Sequence, residues 1–190
     1  MKNLDVIVLD KPNITDFAFE RNKLLKASKK AWILFLDKDE ILTEKLKNEI
    51  SDIIKSTEFN GFYIKRKIIF CGIEAGEDKM LKLGRNGCGT WKRKVHEYWD
   101  INGKVGMLNN YIIHNTATNL EEYINKVDYH STLHSKEILR EGKISSITKI
   151  IIYPIGNFIV YHIKSKNIVF SIMKSLHSFL AWTKLYFLQH

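Results

Sequence analysis

The sequence predicts an α/β fold, and two repeated patterns carry this prediction. Apolar, β-rich segments occur at Leu4–Leu9 and at Trp32–Leu36, and each is followed by residues with helical spacing of their apolar side chains. The second segment consists of five consecutive apolar residues, which is typical of a central strand buried on both faces. A strand followed by a helix, twice in succession, is the order expected of an α/β sheet.

Three helices are placed by their N-terminal capping residues. The first follows the opening strand and can be capped by Asn13 or Thr15, and the second can be capped by Thr43. Asn119 has a glutamate three residues later, so it marks the start of a third helix that runs to about Arg140.

Short β segments are predicted between the second and third helices. They are Phe62–Ile64, Ile68–Phe70 and Tyr111–His114. The glycine-rich stretch from Gly84 to Gly89 is predicted to be a mobile loop.

The charge pattern changes near residue 141. The chain carries a net charge of +9 with a pI near 9.4, which favours an acidic partner. No acidic residue follows Glu141, and six lysines are interleaved there with apolar and aromatic residues. The longest uncharged stretch, Ile150–Ile163, is shorter than the ~20 residues of a spanning helix, and Pro154 and Gly156 are expected to interrupt it. Residues 142–190 are therefore predicted to form an amphipathic, helical, membrane-associating tail.

The last part of this tail has an apolar helical face. That face consists of Ile168, Ile172, Leu176, Phe179, Leu180, Thr183 and Phe187. It suits a helix attracted to an anionic membrane surface, and it equally suits a helix packed on a protein core. The scattered lysines lack an aromatic platform motif, so no nucleic-acid partner is predicted. No secretory signal is apparent, which predicts a cytoplasmic protein peripheral to the inner face of the cell membrane.

Asp37, Asp39 and Glu40 directly follow the buried strand. Two aspartates in a D-x-D pattern can present carboxylates to one Mn²⁺ or Mg²⁺ ion, whose other positions stay open for phosphate oxygens. The same acids could instead only favour the positive end of a helix dipole. A weaker alternative is a haloacid dehalogenase-like phosphatase with Asp37 as nucleophile, from which Ile41 at the fifth motif position departs.

Several ordered segments resemble family 2 glycosyltransferases, in the bacterial group that contains the lipopolysaccharide-core β-glucosyltransferases. They are D-F-A-F-E-R-N at 16–22, W-I-L-F-L-D-K-D-E at 32–40, G-F-Y-I-K-R at 61–66, L-K-L-G-R at 81–85, V-H-E at 95–97 and H-N-T at 114–116. The resemblance implies a GT-A fold, which is a Rossmann-like mixed sheet, at residues 1–141. It also implies inverting transfer of a sugar from a nucleotide-diphosphate donor to a lipopolysaccharide- or lipid-linked acceptor.

The resemblance also implies roles for individual residues. The divalent metal would be held by Asp37, Asp39 and His114. The residues that would hold the nucleotide sugar are Asp37, Asp39, Arg21, Asn22, Lys82 and Arg85. Glu97 would act as the general base, and His96 would orient Glu97 or the acceptor. As an alternative, Glu97 can pair with a neighbouring basic residue at 92–94, and His114 can be structural.

The resemblance departs from the family pattern at the start of the chain. The first apolar strand of the family and its P-x-Y-N-E loop have no counterpart, so the sheet is predicted to lack its first strand or strands, as an N-terminally truncated GT-A domain. A missing strand would leave unpaired backbone that a partner chain could cover. The alternative function is therefore a non-catalytic glycosyltransferase remnant, or a subunit that needs a partner chain to complete the sheet.

Overall fold

A computed structural model describes residues 3–190. Two compact units are present. The first contains residues up to Ile68 together with Asp78–His114, and the second contains Ile69–Glu77 together with Asn115–His190. The acidic residues after the buried strand all belong to the first unit.

The described residues form eight strands and five helices. In chain order they are β1 (Leu4–Leu9), α1 (Phe17–Ala27), β2 (Trp32–Asp37), β3 (Glu40–Leu42), α2 (Glu44–Ile53), β4 (Gly61–Phe70), β5 (Ile73–Arg85), β6 (Gly89–Lys92), β7 (Tyr98–Ile101), β8 (Val105–Ala117), α3 (Leu120–Arg140), α4 (Ile147–Ser165) and α5 (Ile168–Gln189). Six strands form one sheet in the order β1-β2-β5-β4-β8-β3, and β6 pairs with β7. Since β1 is parallel to β2 and β2 is antiparallel to β5, the sheet is mixed. The predicted α/β class is confirmed.

The strand β2 lies in the core of the first unit, as its sequence predicts. All residues of Trp32–Leu36 are buried. Leu34 belongs to a core cluster with Leu46 of α2, whereas Phe35 belongs to a second cluster with Ala18 of α1. Because successive side chains of a strand point to opposite faces, β2 is covered on both sides and presents its carboxyl end to the acidic cluster.

The helix caps agree with the sequence at two of three positions. Thr43 caps α2 and Asn119 caps α3. The first helix begins later than predicted, because Asp16 is its N-cap and not Asn13 or Thr15. Asn13 has a positive φ of 56° and takes part in the preceding turn, so its side chain serves a turn and not a helix.

The segment between α2 and α3 is more regular than the sequence predicts. The short strands expected at Phe62–Ile64 and Ile68–Phe70 are parts of the single strand β4, and Tyr111–His114 lies inside the longer strand β8. The predicted loop from Gly84 to Gly89 instead contains the end of β5 and the start of β6. Pairing with neighbouring strands supplies backbone hydrogen bonds that the local apolar pattern does not reveal.

The tail forms two helices of the second unit. α4 continues through Pro154 and Gly156. α5 buries Phe170, Trp182 and Leu185, among others, whereas Ile168, Ile172 and Phe187 of its predicted apolar face are each more than half exposed. Among residues 3–190, no helix is both long and apolar enough to cross a membrane.

Replacing Gly89 by alanine tests the close approach of β6 and β7. A Cβ atom at Gly89 would overlap the carbonyl oxygen of Asp100 and lie 2.8 Å from the Cα atom of Ile101. Backbone atoms cannot move away without separating the two strands, so Gly89→Ala is expected to lower the free energy of unfolding by about 1–3 kcal/mol. Urea denaturation measures this change.

Gly156→Ala is the matched control for this substitution. No atom lies within 4 Å of a Cβ added at Gly156, which is helical. Alanine has the higher helix propensity, so stability is expected to stay constant or rise by about 0.5–1 kcal/mol. A Gly89→Ala protein as stable as the wild type would contradict the packing described for β6 and β7.

Candidate active site

A tight turn brings two of the three predicted carboxylates together. Asp37 is the last residue of β2, and Glu40 is the first residue of β3. The backbone N–H of Asp37 donates to Oε2 of Glu40 at 3.0 Å. The strand, the turn and this hydrogen bond together fix both carboxylates at the carboxyl end of β2.

Seven charged side chains of the first unit form a series of ion pairs in which negative and positive groups alternate. In order, they are Glu97, Arg21, Asp37, Lys82, Glu40, Arg66 and Asp78. We call this series the ion-pair chain. It contains four carboxylates and three cations, so its net charge is −1 when all its members are ionised.

Asp37 occupies the centre of the ion-pair chain. Its Oδ1 accepts a hydrogen bond from Nη2 of Arg21, and its Oδ2 accepts one from Nζ of Lys82 at 2.9 Å. Arg21 is only 2% exposed and Lys82 only 1%. Burial alone would raise the pKa of the Asp37 carboxyl, but the charges of Lys82 and Arg21 outweigh it and hold that pKa well below its usual range. Asp37 is therefore ionised, and cations of the protein itself neutralise it.

Glu40 is bound just as completely. Lys82 donates to its Oε2 at 2.5 Å, and Arg66 donates to its Oε1 at 3.0 Å. Arg66 also makes a two-point contact with Asp78, at 2.7 and 2.6 Å. The side chain of Glu40 is fully buried, so Glu40 positions its neighbours and does not face a substrate.

Glu97 forms the other end of the ion-pair chain. It lies between β6 and β7, and its Oε1 accepts a hydrogen bond from Nε of Arg21 at 3.1 Å. The guanidinium of Arg21 lies over the ring of Trp91, 4.7 Å from its centroid. The basic neighbour Lys92 pairs with Asp100 instead, at 2.6 Å. Glu97 thus has a buried long-range partner in place of the neighbouring partner considered from sequence.

Asp39 and His114 lie together beside this series. Oδ1 of Asp39 is 3.6 Å from Nε2 of His114, and Nδ1 of His114 is buried without a hydrogen-bond partner. Asp39 lies in the turn just before β3, and His114 lies in the neighbouring strand β8. The sheet pairs His114 with Glu40, the residue that follows Asp39. A separation of 3.6 Å is too long for a good hydrogen bond. It is close to the ~3.0–3.5 Å between two ligands of one divalent cation with bonds of about 2.1 Å.

The residues therefore differ in how well they fit a metal ion. Asp39 and His114 offer a carboxylate oxygen and an imidazole nitrogen close to each other, a donor pair that several divalent metal ions can use. Each oxygen of Asp37 already accepts one hydrogen bond from a cation, so a metal ion there would have to share this carboxylate with Arg21 and Lys82 through the remaining lone pairs. The metal site predicted from Asp37, Asp39 and His114 stays a prediction, with Asp39 and His114 as its better-placed members.

Three other predicted residues have different surroundings. The amide of Asn22 is paired with the backbone N–H and carbonyl of Trp91, both at 2.8 Å, so it holds β6 in place. Arg85 is paired with Trp32, at the end of β2 opposite to the acidic cluster. That is five residues, or about 16 Å along the strand, from Asp37. His96 is exposed in the turn before Glu97, with a positive φ of 54°.

Arg66 and Asp78 are members of the ion-pair chain that the sequence analysis did not select. A signal for Arg66 exists, because buried residues alternate along β4 and Arg66 occupies a buried position of that alternation. A basic residue at a core position of a strand requires a carboxylate partner. Asp78 could not be found in this way, since its pairing depends on the unpredicted strand β5.

Comparison with known proteins identifies distant relatives. The chain is 25% identical over 130 residues to an uncharacterized glycosyltransferase of Rickettsia prowazekii (strain Madrid E) and 24% identical over 130 residues to one of Rickettsia typhi (strain ATCC VR-144 / Wilmington). Each match covers 59% of this chain and 44% of the relative, so the chain spans less than half the length of these curated relatives. No family model matches the chain.

Removing the cation between Asp37 and Glu40 is expected to be strongly destabilising. In Lys82→Met the two carboxylates would lose their shared partner in a buried site, so we expect the free energy of unfolding to fall by about 3–5 kcal/mol. Urea denaturation followed by tryptophan fluorescence measures the loss. In the control Lys47→Met, which removes an exposed pair with Glu44, the expected change is within about 0.5 kcal/mol. Equal effects of the two substitutions would contradict a buried ion-pair chain.

The lowered pKa of Asp37 predicts how stability depends on pH. Because this pKa is lower in the folded than in the unfolded protein, ionised Asp37 stabilises the fold above its ordinary pKa of about 4, and this contribution is lost as the pH falls toward the lowered value. Asp37→Asn lacks the titrating group, so its free energy of unfolding should decline less between pH 6 and pH 3. Denaturation series at several pH values compare it with wild type and with the exposed control Asp52→Asn. Parallel curves for wild type and Asp37→Asn would rule out the assigned shift.

Proposed function

We propose that this chain is a metal-dependent, inverting glycosyltransferase of family 2 with a GT-A arrangement. In this proposal it transfers a sugar from a nucleotide-diphosphate donor to a lipopolysaccharide- or lipid-linked acceptor. The observation that carries the proposal is the carboxylate cluster at the carboxyl end of β2, in a chain whose distant relatives are named glycosyltransferases. Ligands of open α/β sheets bind outside the carboxyl ends of strands.

The charge of the site supports a requirement for a divalent cation. The ion-pair chain carries a net charge of −1, and Asp39 adds a further carboxylate next to it. A nucleoside diphosphate is itself an anion, so these residues alone would repel it. A divalent cation held by Asp39 and His114 would supply Lewis-acid stabilisation of the departing diphosphate.

Glu97 is the proposed general base. An inverting displacement requires a group that takes the proton of the acceptor hydroxyl. Arg21 holds Oε1 of Glu97, which fixes the orientation of the carboxylate and leaves Oε2 to accept that proton. His96 directly precedes Glu97 in an exposed turn, where it could contact the acceptor.

A non-catalytic subunit is the second candidate, and the surroundings of Asp37 favour it. Arg21 and Lys82 each donate a hydrogen bond to one oxygen of Asp37, so the negative charge of the first aspartate of the D-x-D pattern is already neutralised by side chains of the protein. In this candidate the acidic residues only stabilise the first unit, and the chain acts with a partner chain. Binding of a nucleotide sugar by the isolated chain distinguishes the two candidates.

Asp39→Asn is expected to impair catalysis without unfolding the protein. Its side chain is partly exposed, and asparagine keeps its size and one hydrogen-bond-accepting oxygen, so the protein should stay folded. Loss of a metal ligand should lower kcat/KM at least about 100-fold. The measurement is release of nucleoside diphosphate from a panel of nucleotide sugars with Mn²⁺, before and after chelation.

Asp52→Asn, at an exposed position of α2, serves as the matched control and should retain activity. Full activity of Asp39→Asn would refute the assigned role of Asp39. Absence of nucleotide-sugar binding by the folded wild-type chain would favour the non-catalytic candidate.

A further inference from the structure

The second unit carries an apolar helical surface that no part of the described protein covers. α4 has no buried residue. Six of its isoleucines are between 51% and 71% exposed, and besides Ile147 at its start they are Ile151, Ile152, Ile155, Ile159 and Ile163. We call these last five, which share one side of the helix, the α4 isoleucine face.

These five side chains share one side of the helix. At 3.6 residues per turn they fall within about 120° of the circumference and extend over about 18 Å. The opposite side of α4 packs within the second unit, where Ile150 joins a cluster with Trp182 and Leu185 of α5, and Tyr161 contacts Phe170. An apolar stripe of this width normally faces a protein core. In α4 the opposite side of the helix packs on the core of the second unit, and the α4 isoleucine face is left exposed.

The charged side chains on α4 and α5 themselves all have the same sign. No acidic residue occurs after Glu141. Lys164 and Lys166 are exposed at the carboxyl-terminal end of α4, close in sequence to Ile163. Exposed lysines at the end of a helix with an apolar face are features of a helix that lies in an anionic membrane interface.

We propose that the α4 isoleucine face is seated in the interfacial region of an anionic lipid membrane, parallel to its surface. Apolar side chains would enter the acyl boundary, and the lysines would contact lipid phosphates. A second copy of the chain is a poorer occupant, because a twofold contact would place this face against an identical one, whose helices offer no opposite charge. The sequence alone placed this contact on α5, whereas the exposed surface of α4 is larger and more continuous. The inference does not depend on the proposed glycosyl transfer.

Flotation with vesicles tests this proposal on the complete chain. Wild-type protein should bind vesicles of phosphatidylcholine mixed equally with phosphatidylglycerol, bind phosphatidylcholine alone much more weakly, and lose affinity at high salt. Ile155→Ser combined with Ile159→Ser should lower the vesicle partition coefficient at least tenfold, because two apolar side chains no longer enter the membrane. Circular dichroism and urea denaturation confirm that the variant is folded.

The matched control is Ile168→Ser combined with Ile172→Ser. These isoleucines of α5 are equally exposed but lie outside the α4 isoleucine face, so binding should stay within twofold of wild type. The proposal is overturned if the α4 variant binds as wild type does, if the α5 variant loses binding as strongly, or if wild type does not prefer anionic vesicles. It is also overturned if wild type is a dimer that the α4 substitutions dissociate.

Discussion

The first unit depends on the neutralisation of Asp37 by two buried cations. Arg21 reaches Asp37 from α1 and Lys82 reaches it from β5, so a single carboxylate connects a helix, the buried strand β2 and the strand beside it. An uncompensated charge at this depth would cost several kcal/mol. The arrangement is stable only as a set, because each cation binds a second carboxylate and each buried carboxylate binds a second cation.

Within the short acidic motif from Asp37 to Glu40, some side chains belong to the ion-pair chain and one does not. Asp37 and Glu40 point into the ion-pair chain, while Asp39 points toward His114. Lys38 and Asp39 form the turn between β2 and β3, so the side-chain alternation of a strand does not continue through them, and Asp39 can point away from its neighbours. The residue that holds the structure together and the residue best placed for a ligand are therefore adjacent in sequence but have different surroundings.

The second unit differs from the first in that its helices expose apolar surface. α4 and α5 together contain more apolar surface than their mutual packing can bury, and the excess is exposed on both helices, including the α4 isoleucine face. Large contiguous apolar surfaces are uncommon on proteins that have no partner there. The same helices contain lysines and no acidic residue, which favours an anionic partner for this surface.

Local pattern alone determined the buried strand Trp32–Leu36, the helix starts at Thr43 and Asn119, and the position of the acidic cluster, because periodicity and capping depend on residues close in sequence. Only the tertiary structure decided which charges meet. Glu97 and Arg21 are 76 positions apart, and their pairing depends on how β6 is held against α1. The full length of β5 was likewise concealed by its charged residues, since its hydrogen bonds come from the adjacent β4 and from β2, which is distant in sequence. The exposed side of α4 was also beyond local pattern, because a helix that is apolar on most sides does not reveal which side its neighbours cover.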